Sequence, residues 1–163
     1  MKYEVKDNVL GDDLFQNLCK IIMGKHFPWY YQSVVAYKHE DNKLEYYFTH
    51  YIFNNGSEGA FFPFFIPLFK ALDIEGLIRV KVNFYPSNPK LIVHSPHVDY
   101  KMKHDVAIFS FNTCNGYTLL GSKHSVGSRA NRLLTFRGDQ KHASTNCTDA
   151  KGRFNVNINY TKK

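Results

Sequence analysis

The stretch LIRVKVNFY at residues 77–85 decides the fold class, because polar and apolar residues alternate along it. Such alternation is typical of a β-strand, in which successive side chains point to opposite faces. The polar face of this strand carries Arg79, Lys81, Asn83 and Tyr85. Residues 153–160, RFNVNINY, repeat the pattern with a polar face of Arg153, Asn155, Asn157 and Asn159. A terminal strand usually turns a polar face to solvent, but two such strands also fit a barrel mouth lined by polar residues, with the apolar residues packed under helices.

Outward from these strands, the sequence places helices first and short strands afterwards. Asp12 or Asp13 is predicted to cap a helix that ends near Gly24, and Phe62–Asp73 is predicted to form a second helix. Two antiparallel strands are predicted to flank the polar turn Lys38–Lys43, at Trp29–Tyr37 and Leu44–Phe53. Further strands are predicted at Leu91–His94, Val106–Asn112, Tyr117–Leu120, Arg132–Phe136 and Arg153–Tyr160. This order predicts a mainly β chain with N-terminal helices and a barrel or jelly-roll core.

Length and composition limit the class of protein. We expect one domain over residues 1–163, with helical and strand support over 1–76 and a barrel core over 77–160. No stretch predicts a signal peptide or a membrane span, so we expect a cytoplasmic protein without a membrane partner. The cysteines Cys19, Cys114 and Cys147 match no zinc spacing and are expected to be reduced thiols. The formal charge of +7 keeps nucleic acid open as a partner.

The segment HSPHVD at residues 94–99 contains the candidate metal ligands. His97 and Asp99 stand two apart, which on extended backbone points both side chains the same way. Two imidazoles and a carboxylate on one face of an ion form the triad of non-heme iron(II) oxygenases. His142 lies far downstream, where several short strands could return it across a barrel, so it is the leading candidate for the third ligand.

Other interpretations of the same residues remain open. An H-x-D pair arises by chance in a chain with 8 histidines, and a solvated loop pair is the plainer interpretation. His94 and His104 compete for the ligand role, but His94 lacks a carboxylate two residues on, and Asp105 would point away from His104 in a strand. A zinc hydrolase or a cupin is disfavoured, because neither H-E-x-x-H nor H-x-H with a later Glu is present.

Arg153 follows His142 closely enough for the chain to turn and run beside it. An arginine can grip the far carboxylate of a dicarboxylate through two parallel charge-assisted hydrogen bonds. Loops around the barrel mouth would contact a substrate. Their candidate residues, each equally compatible with a structural or solvated role, are Tyr30, Tyr31, Tyr100 and Lys103.

The ordered set of these residues resembles the 2-oxoglutarate/iron(II) oxygenase superfamily. The set runs through Asn83-Phe84-Tyr85, His97-Val98-Asp99, His142 and Arg153-Phe154-Asn155. N-x-Y before H-x-D, and R-x-N after the distal histidine, resemble AlkB-type members. Size and the run Asn115-Gly116-Tyr117-Thr118 are more similar to small prolyl-hydroxylase-like members of bacteria and phages. The AlkB-type pattern would have a second arginine on the Arg153 strand, but Asn157 and Asn159 stand there instead. The resemblance to prolyl-hydroxylase-like members is therefore preferred over nucleobase demethylation.

The resemblance implies a double-stranded β-helix and a dioxygenase that hydroxylates a peptidyl or small-molecule C–H bond, releasing succinate and CO2. It implies that His97, Asp99 and His142 bind iron(II), with 2-oxoglutarate and O2 as cosubstrates and ascorbate as a candidate reductant. It further implies that Asn83, Tyr85 and Arg153 bind 2-oxoglutarate with support from Asn155. A phage-encoded enzyme acting in a host cytoplasm is compatible with it. Alternatives are a nucleic-acid-directed oxygenase or demethylase, and a catalytically silent jelly-roll binding module.

Overall fold

The structure is a computed structural model that describes residues 2–36 and 45–163. The early elements are β1 Tyr3–Lys6, α1 Asp12–Ile22, β2 Tyr30–Gln32, β3 Tyr47–Asn54, β4 Ser57–Glu58, a 3₁₀ turn Phe62–Phe65 and α2 Ile66–Lys70. The later elements are β5 Ile74–Pro86, β6 Asp105–Ser110, β7 Tyr117–Leu120, β8 His124–Gly127, β9 Arg132–Arg137, β10 His142–Ser144 and β11 Gly152–Lys162.

The strands form a large and a small antiparallel sheet. The large sheet has the order β1-β9-β6-β11-β5-β3-β2, with β4 paired to β3. The small sheet has the order β10-β7-β8. The last strand, β11, pairs with both β5 and β6, so it lies inside the large sheet and not at an edge. This jelly roll is the double-stranded β-helix expected for the chain, mainly β with helices in the N-terminal part.

The large sheet is covered on both faces. On one face, the helices bury Phe15, Leu18 and Leu68 against the apolar side chains of β5 and β11. On the other, a smaller cluster joins the two sheets through Val106, Ile108, Leu120, Val126, Leu134 and Phe136. The polar stripe of β11 is enclosed there, with Arg153 1%, Asn155 2% and Asn159 0% exposed. A polar face turned to solvent is therefore wrong for this strand, and the polar stripes of β5 and β11 face the interior of the jelly roll.

Several local predictions need correction. Gly11, and not an aspartate, occupies the N-cap of α1, without a side-chain cap, while Asp12 and Asp13 lie in the first turn, where the helix dipole favours them. The predicted second helix is divided into the 3₁₀ turn and α2, whose first turn contains Pro67. Leu91–His94 forms no strand and contributes only a bridge from Val93 to Thr145. The predicted turn Lys38–Lys43 lies outside the described residues.

Four strands were not predicted: β1, the 2-residue β4, β8 and β10. β1 is only 4 residues long and exposed at every residue, yet it pairs with β9 at the sheet edge. β8 and β10 are only 4 and 3 residues long, too short to show a period. Within the described residues, no helix has the length and apolar character needed to cross a membrane.

Candidate metal centre

The backbone itself brings His97 and His142 together. The two residues form an antiparallel bridge, and each donates its N–H to the carbonyl of the other at 2.9 Å. Adjacent side chains of such a pair lie on the same side, and the imidazole centroids are 4.7 Å apart. The pairing of the HSPHVD segment with β10 therefore brings together two histidines that are far apart in the sequence.

Asp99 completes the cluster. Its Oδ1 is 3.7 Å from Nε2 of His97, and its Oδ2 is 3.8 Å from Nε2 of His142. One potential ligand atom from each residue lies within 4.8 Å of the others, so a single ion could contact all three. His142 is buried and the other two are partly buried, which leaves one side of the cluster open to a cavity.

Backbone carbonyls orient both imidazoles. Nδ1 of His97 lies 3.1 Å from the carbonyl of Ser95, and Nδ1 of His142 lies 3.3 Å from the carbonyl of Gln140. Since a carbonyl oxygen can only accept a hydrogen bond, Nδ1 must carry the hydrogen, and in the neutral ring Nε2 then has the lone pair. Second contacts of this kind fix the tautomer and ring orientation of histidines that bind metals.

Three side chains hold the carboxylate of Asp99. Arg79 donates from Nη2 to Oδ1 at 2.8 Å, and the amides of Asn157 and Asn159 donate to Oδ2 at 3.1 and 2.9 Å. Burial alone would raise the pKa of Asp99, but Arg79, His142 and the two amides outweigh it and hold that pKa well below its usual range. Asp99 is thus a fixed anion at any physiological pH.

A cavity extends from the three residues into the jelly roll. Its walls include Lys81, Asn83, Tyr85, Ile108, Thr118, Ser144, Asn155 and Asn157. Asn83 donates to the side-chain oxygen of Asn155 at 2.9 Å, so these two predicted cosubstrate residues contact each other. The buried Oδ1 atom of Asn83 has no protein partner among the described residues, which leaves it available to a ligand.

Arg153 lies behind this wall. Its guanidinium donates to the carbonyls of Tyr117 and Thr145 at 2.8 and 3.1 Å, and to the hydroxyl of Thr118 at 2.8 Å. Its Nε is buried without a protein acceptor among the described residues. No carboxylate of the described chain forms an ion pair with Arg153. A buried cation with spare donors and no counter-ion suits a carboxylate ligand.

The competing histidines lie outside the cluster. His94 accepts from or donates to the Ser144 hydroxyl at 2.9 Å and stacks on Tyr85, while Nδ1 of His104 contacts the carbonyl of Met102 at 2.8 Å. Of the loop candidates, Tyr30 and Tyr31 are 60% exposed, and Tyr100 lies beneath the Arg79 guanidinium. Lys103 is exposed.

A second group of possible ligand atoms consists of Cys114, Cys147 and Asp149. Burial raises the pKa of the Cys147 thiol to about 11, with the neighbouring Cys114 adding to the effect. A thiol with so high a pKa is protonated at neutral pH and is a weak ligand and nucleophile. The three cysteines are free thiols in the structure, in keeping with the reduced state expected from the sequence.

Sequence reasoning missed the side chains that hold Asp99. Arg79, Asn157 and Asn159 were recognised only as members of two polar stripes. Lys81 was likewise placed in a stripe but given no role, although it lines the cavity. The available signal was the register of the two strands, which sets Asn157 opposite Lys81 and Asn159 opposite Arg79.

Buried histidines predict acid sensitivity. Burial, with Arg153 and His97 nearby, lowers the pKa of His94 to about 4, against about 6.5 in the unfolded chain. Between these values the unfolded state binds the proton and the folded state does not, so the free energy of unfolding falls as the pH drops from about 6.5 to about 4. We expect His94→Gln to lose this pH dependence, so that between about pH 6.5 and about pH 4 its free energy of unfolding falls by up to about 3 kcal/mol less than that of the natural protein. Urea unfolding of metal-free protein at several pH values measures it, and equal slopes in both proteins would contradict the assignment.

Comparison with known proteins places the fold. No protein-family model matches the sequence, and no curated protein of related sequence was found. A prolyl hydroxylase of Trichoplax adhaerens, solved with a peptide of the hypoxia inducible factor oxygen degradation domain, is similar with a TM-score of 0.69 and 13% identity over 98% of this chain and 83% of that chain.

Two further solved structures are similar. The viral collagen prolyl hydroxylase of Paramecium bursaria Chlorella virus-1, solved with 2-oxoglutarate, gives a TM-score of 0.62 and 10% identity over 100% of this chain and 97% of that chain. The epimerase SnoN from nogalamycin biosynthesis was solved with Fe3+, α-ketoglutarate and nogalamycin RO. It gives a TM-score of 0.65 and 10% identity over 98% of this chain and 78% of that chain. At these identities the likenesses show the fold alone.

Proposed function

We propose that this chain, which has the fold of the prolyl hydroxylases and other 2-oxoglutarate-dependent oxygenases, is an iron(II)- and 2-oxoglutarate-dependent dioxygenase. The convergence of His97, Asp99 and His142 carries the proposal, because both Nε2 lone pairs and a fixed carboxylate face one point. Fold likeness alone would not assign a function, since one fold hosts many.

The donor set fits iron(II). Two imidazoles and one carboxylate form the facial arrangement that non-heme iron(II) oxygenases use, with other positions left for cosubstrate. A single anionic ligand leaves the metal with net positive charge, which favours a dianionic keto acid. Among the described residues, no other carboxylate lines the cavity to oppose it.

The cavity wall supplies partners for 2-oxoglutarate. We assign Asn83 and Tyr85, which line the cavity, to polar contacts along the diacid, and Arg153, which lies behind Thr118 of the cavity wall, to the far carboxylate through its spare N–H donors. Asn155 supports Asn83 by accepting its amide hydrogen. A buried guanidinium that has no counter-ion in the described chain gains a charge-assisted hydrogen bond when the carboxylate arrives.

The protein then orients the reactants. When bound, iron(II), 2-oxoglutarate and O2 supply the oxidising chemistry that yields succinate, CO2 and a hydroxylated C–H bond, with ascorbate as a candidate reductant. His97 and His142 are locked by backbone carbonyls, and Phe136 packs on the His142 ring at 5.1 Å between centroids. Arg79, Asn157 and Asn159 hold Asp99, so the reacting groups meet without rearrangement.

The substrate is proposed to be a peptide or a small molecule that offers a C–H bond. Support comes from the solved neighbours, one of which holds a peptide and another nogalamycin RO. A nucleic-acid substrate and a catalytically silent binding module stay open as alternatives. The former is tested by loss of activity as salt rises, and the latter by the metal titration below.

Anaerobic titration with iron(II) and then 2-oxoglutarate tests the proposal. We expect the weak visible charge-transfer band of the chelate to appear in the natural protein, and to be lost in His142→Ala because one of three ligands is removed. His124→Ala, at an exposed histidine of β8, is the matched control and should keep the band. A folded natural protein that gives no band would favour the silent module.

A further inference from the structure

We propose that Lys81 binds a carboxylate of the substrate that is hydroxylated, so that the enzyme acts on a compound carrying an acidic group near the oxidised carbon. This inference rests on the proposed function and adds a substrate class to it. It concerns a residue of β5 whose side chain lines the same cavity as His97, Asp99 and His142.

The ammonium of Lys81 has donors to spare. Its Nζ donates to the hydroxyl of Tyr47 at 3.2 Å and lies 5.4 Å from the centre of that ring. A lysine ammonium has three N–H donors, and this is the one hydrogen bond found for it in residues 2–36 and 45–163. No carboxylate in those residues pairs with it. Lys81 lines the same cavity as the three metal-binding candidates and several asparagine amides.

The nearest anion cannot serve as the counter-ion of Lys81. Asp99 accepts from Arg79 at 2.8 Å and from two asparagine amides, and its two carboxylate oxygens lie 3.7 and 3.8 Å from the Nε2 atoms of His97 and His142. Burial and the neighbouring Arg79 charge lower the pKa of Lys81 to about 8, with Asp99 acting in the opposite sense. The amine therefore still carries its proton at neutral pH, in an environment that lacks a balancing anion.

The net charge of the site stays positive after the cosubstrate binds, which favours binding of a second anion. Arg79 and Asp99 neutralise each other, and the double charges of iron(II) and 2-oxoglutarate do the same. The sum therefore stays positive by the charges of Arg153 and Lys81, and because Arg153 is assigned to the far carboxylate of the cosubstrate, Lys81 is the cation left without an anionic partner among the described residues. A buried cation is costly unless it is paired, so an anionic substrate group is favoured over a neutral one.

The strand register separates Lys81 from Arg153 and Tyr85, which are proposed to bind the cosubstrate. Arg153 pairs with Tyr85, and Lys81 pairs with Asn157, which contacts Asp99. The four-residue offset from Tyr85 to Lys81 corresponds to about 13 Å along a strand. A keto acid held between Arg153 and the three metal-binding candidates would therefore lie between these levels, whereas Lys81 lies at the level of Asn157 and Asp99 on the side of β3, where its ammonium contacts Tyr47. That side of the metal is left for the substrate.

Acetate is the probe for this site. In anaerobic protein loaded with iron(II) and 2-oxoglutarate, acetate bound at Lys81 would lie close to the paramagnetic iron, and the relaxation of its methyl protons would accelerate. We expect a saturable acceleration in the natural protein, with acetate affinity at least about tenfold weaker in Lys81→Met. Lys81→Gln should behave like Lys81→Met, whereas Lys81→Arg should retain binding. Lys101→Met, at an exposed lysine, is the matched control, and acetamide should show no saturable effect.

The charge-transfer band distinguishes failure of the Lys81 proposal from failure of the proposed function. An unchanged band and unchanged 2-oxoglutarate affinity in Lys81→Met, together with lost acetate binding, support the proposal. A 2-oxoglutarate affinity about tenfold weaker in Lys81→Met would make Lys81 a cosubstrate anchor and overturn it. Acetate relaxation that is absent, or equal in both proteins, overturns it as well while the band persists. Absence of the band from the natural protein would instead reject the proposed function on which the inference rests.

Discussion

Asp99→Ala is expected to abolish turnover and also to lower the free energy of unfolding of the metal-free protein by about 3–5 kcal/mol. Loss of turnover follows from loss of the anionic ligand. Loss of stability follows from the buried ion pair, because Asp99 and Arg79 have side chains only 6% and 13% exposed and their charged atoms are 2.8 Å apart. Removing one partner leaves the Arg79 charge and the amides of Asn157 and Asn159 without their acceptor.

This expectation differs from the one that the sequence supports. H-x-D in an exposed loop predicts an isolated carboxylate whose removal would spare the fold. Urea unfolding of chelator-treated protein measures the difference, and Asp99→Asn is the control, since its amide oxygen can still accept from Arg79. The double variant Arg79→Met/Asp99→Ala should recover part of the stability without recovering turnover. Equal stability of Asp99→Ala and the natural protein would show that the ion pair contributes nothing.

The ion pair also bears on how tightly the metal is held. Arg79 withdraws part of the charge of Asp99 that would otherwise attract the ion, while it fixes the direction of the carboxylate. The pKa of Asp99 lies well below its usual range, so protons do not compete with the metal there at neutral pH. Competition from protons falls instead on His142, whose pKa is lowered by burial and is partly restored by Asp99. The lowered pKa values of Asp99 and His142 thus favour the deprotonated form of both residues before the ion arrives.

Strand alternation predicted the polar wall of the cavity but not the contacts within it. Period-two patterns placed Asn83 with Tyr85, and Arg153 with Asn155, on polar faces that could point to solvent or into a barrel, and the structure encloses all four residues. Pairing of Asp99 with Arg79 could not be predicted, because it depends on the path of the segment between β5 and β6, which is irregular and has no period. Lys81 illustrates the same limit, since a lysine in an alternating strand is usually solvated.

The weakest sequence signals came from the shortest elements. β10 has 3 residues, yet it carries His142 and pairs with the HSPHVD segment through a single bridge at His97. Its position is set by β7, with which it pairs at Leu120, Leu119 and Thr118. Tertiary pairing, and not local propensity, therefore brings the distal histidine to the other two residues. The spacing of H-x-D and a later His suggested the meeting, but only the sheet topology explains it.

Arg153→Ala is expected to weaken 2-oxoglutarate binding by about a hundredfold or more, because two charge-assisted hydrogen bonds to a buried carboxylate are lost. Iron(II) affinity should change little, since no contact joins Arg153 to the three metal-binding candidates. Some stability will also be lost, because the guanidinium links the carbonyls of Tyr117 and Thr145 across β7 and the segment after β10. Titration of the charge-transfer band with 2-oxoglutarate measures the affinity directly.

Three comparisons distinguish an Arg153 that binds 2-oxoglutarate from an Arg153 with a purely structural role. Arg153→Lys keeps the charge but cannot present a fork, so its affinity should fall between those of the natural protein and Arg153→Ala. Added guanidinium ion should partly restore 2-oxoglutarate binding to Arg153→Ala, because the vacated space is lined by the same carbonyls and can hold the planar cation. Arg137→Ala, at an exposed arginine paired with Asp139, should leave the affinity unchanged. If Arg153→Ala folds and binds 2-oxoglutarate as tightly as the natural protein, the far carboxylate must be held elsewhere, and Lys81 is then the cation in the cavity wall that could hold it.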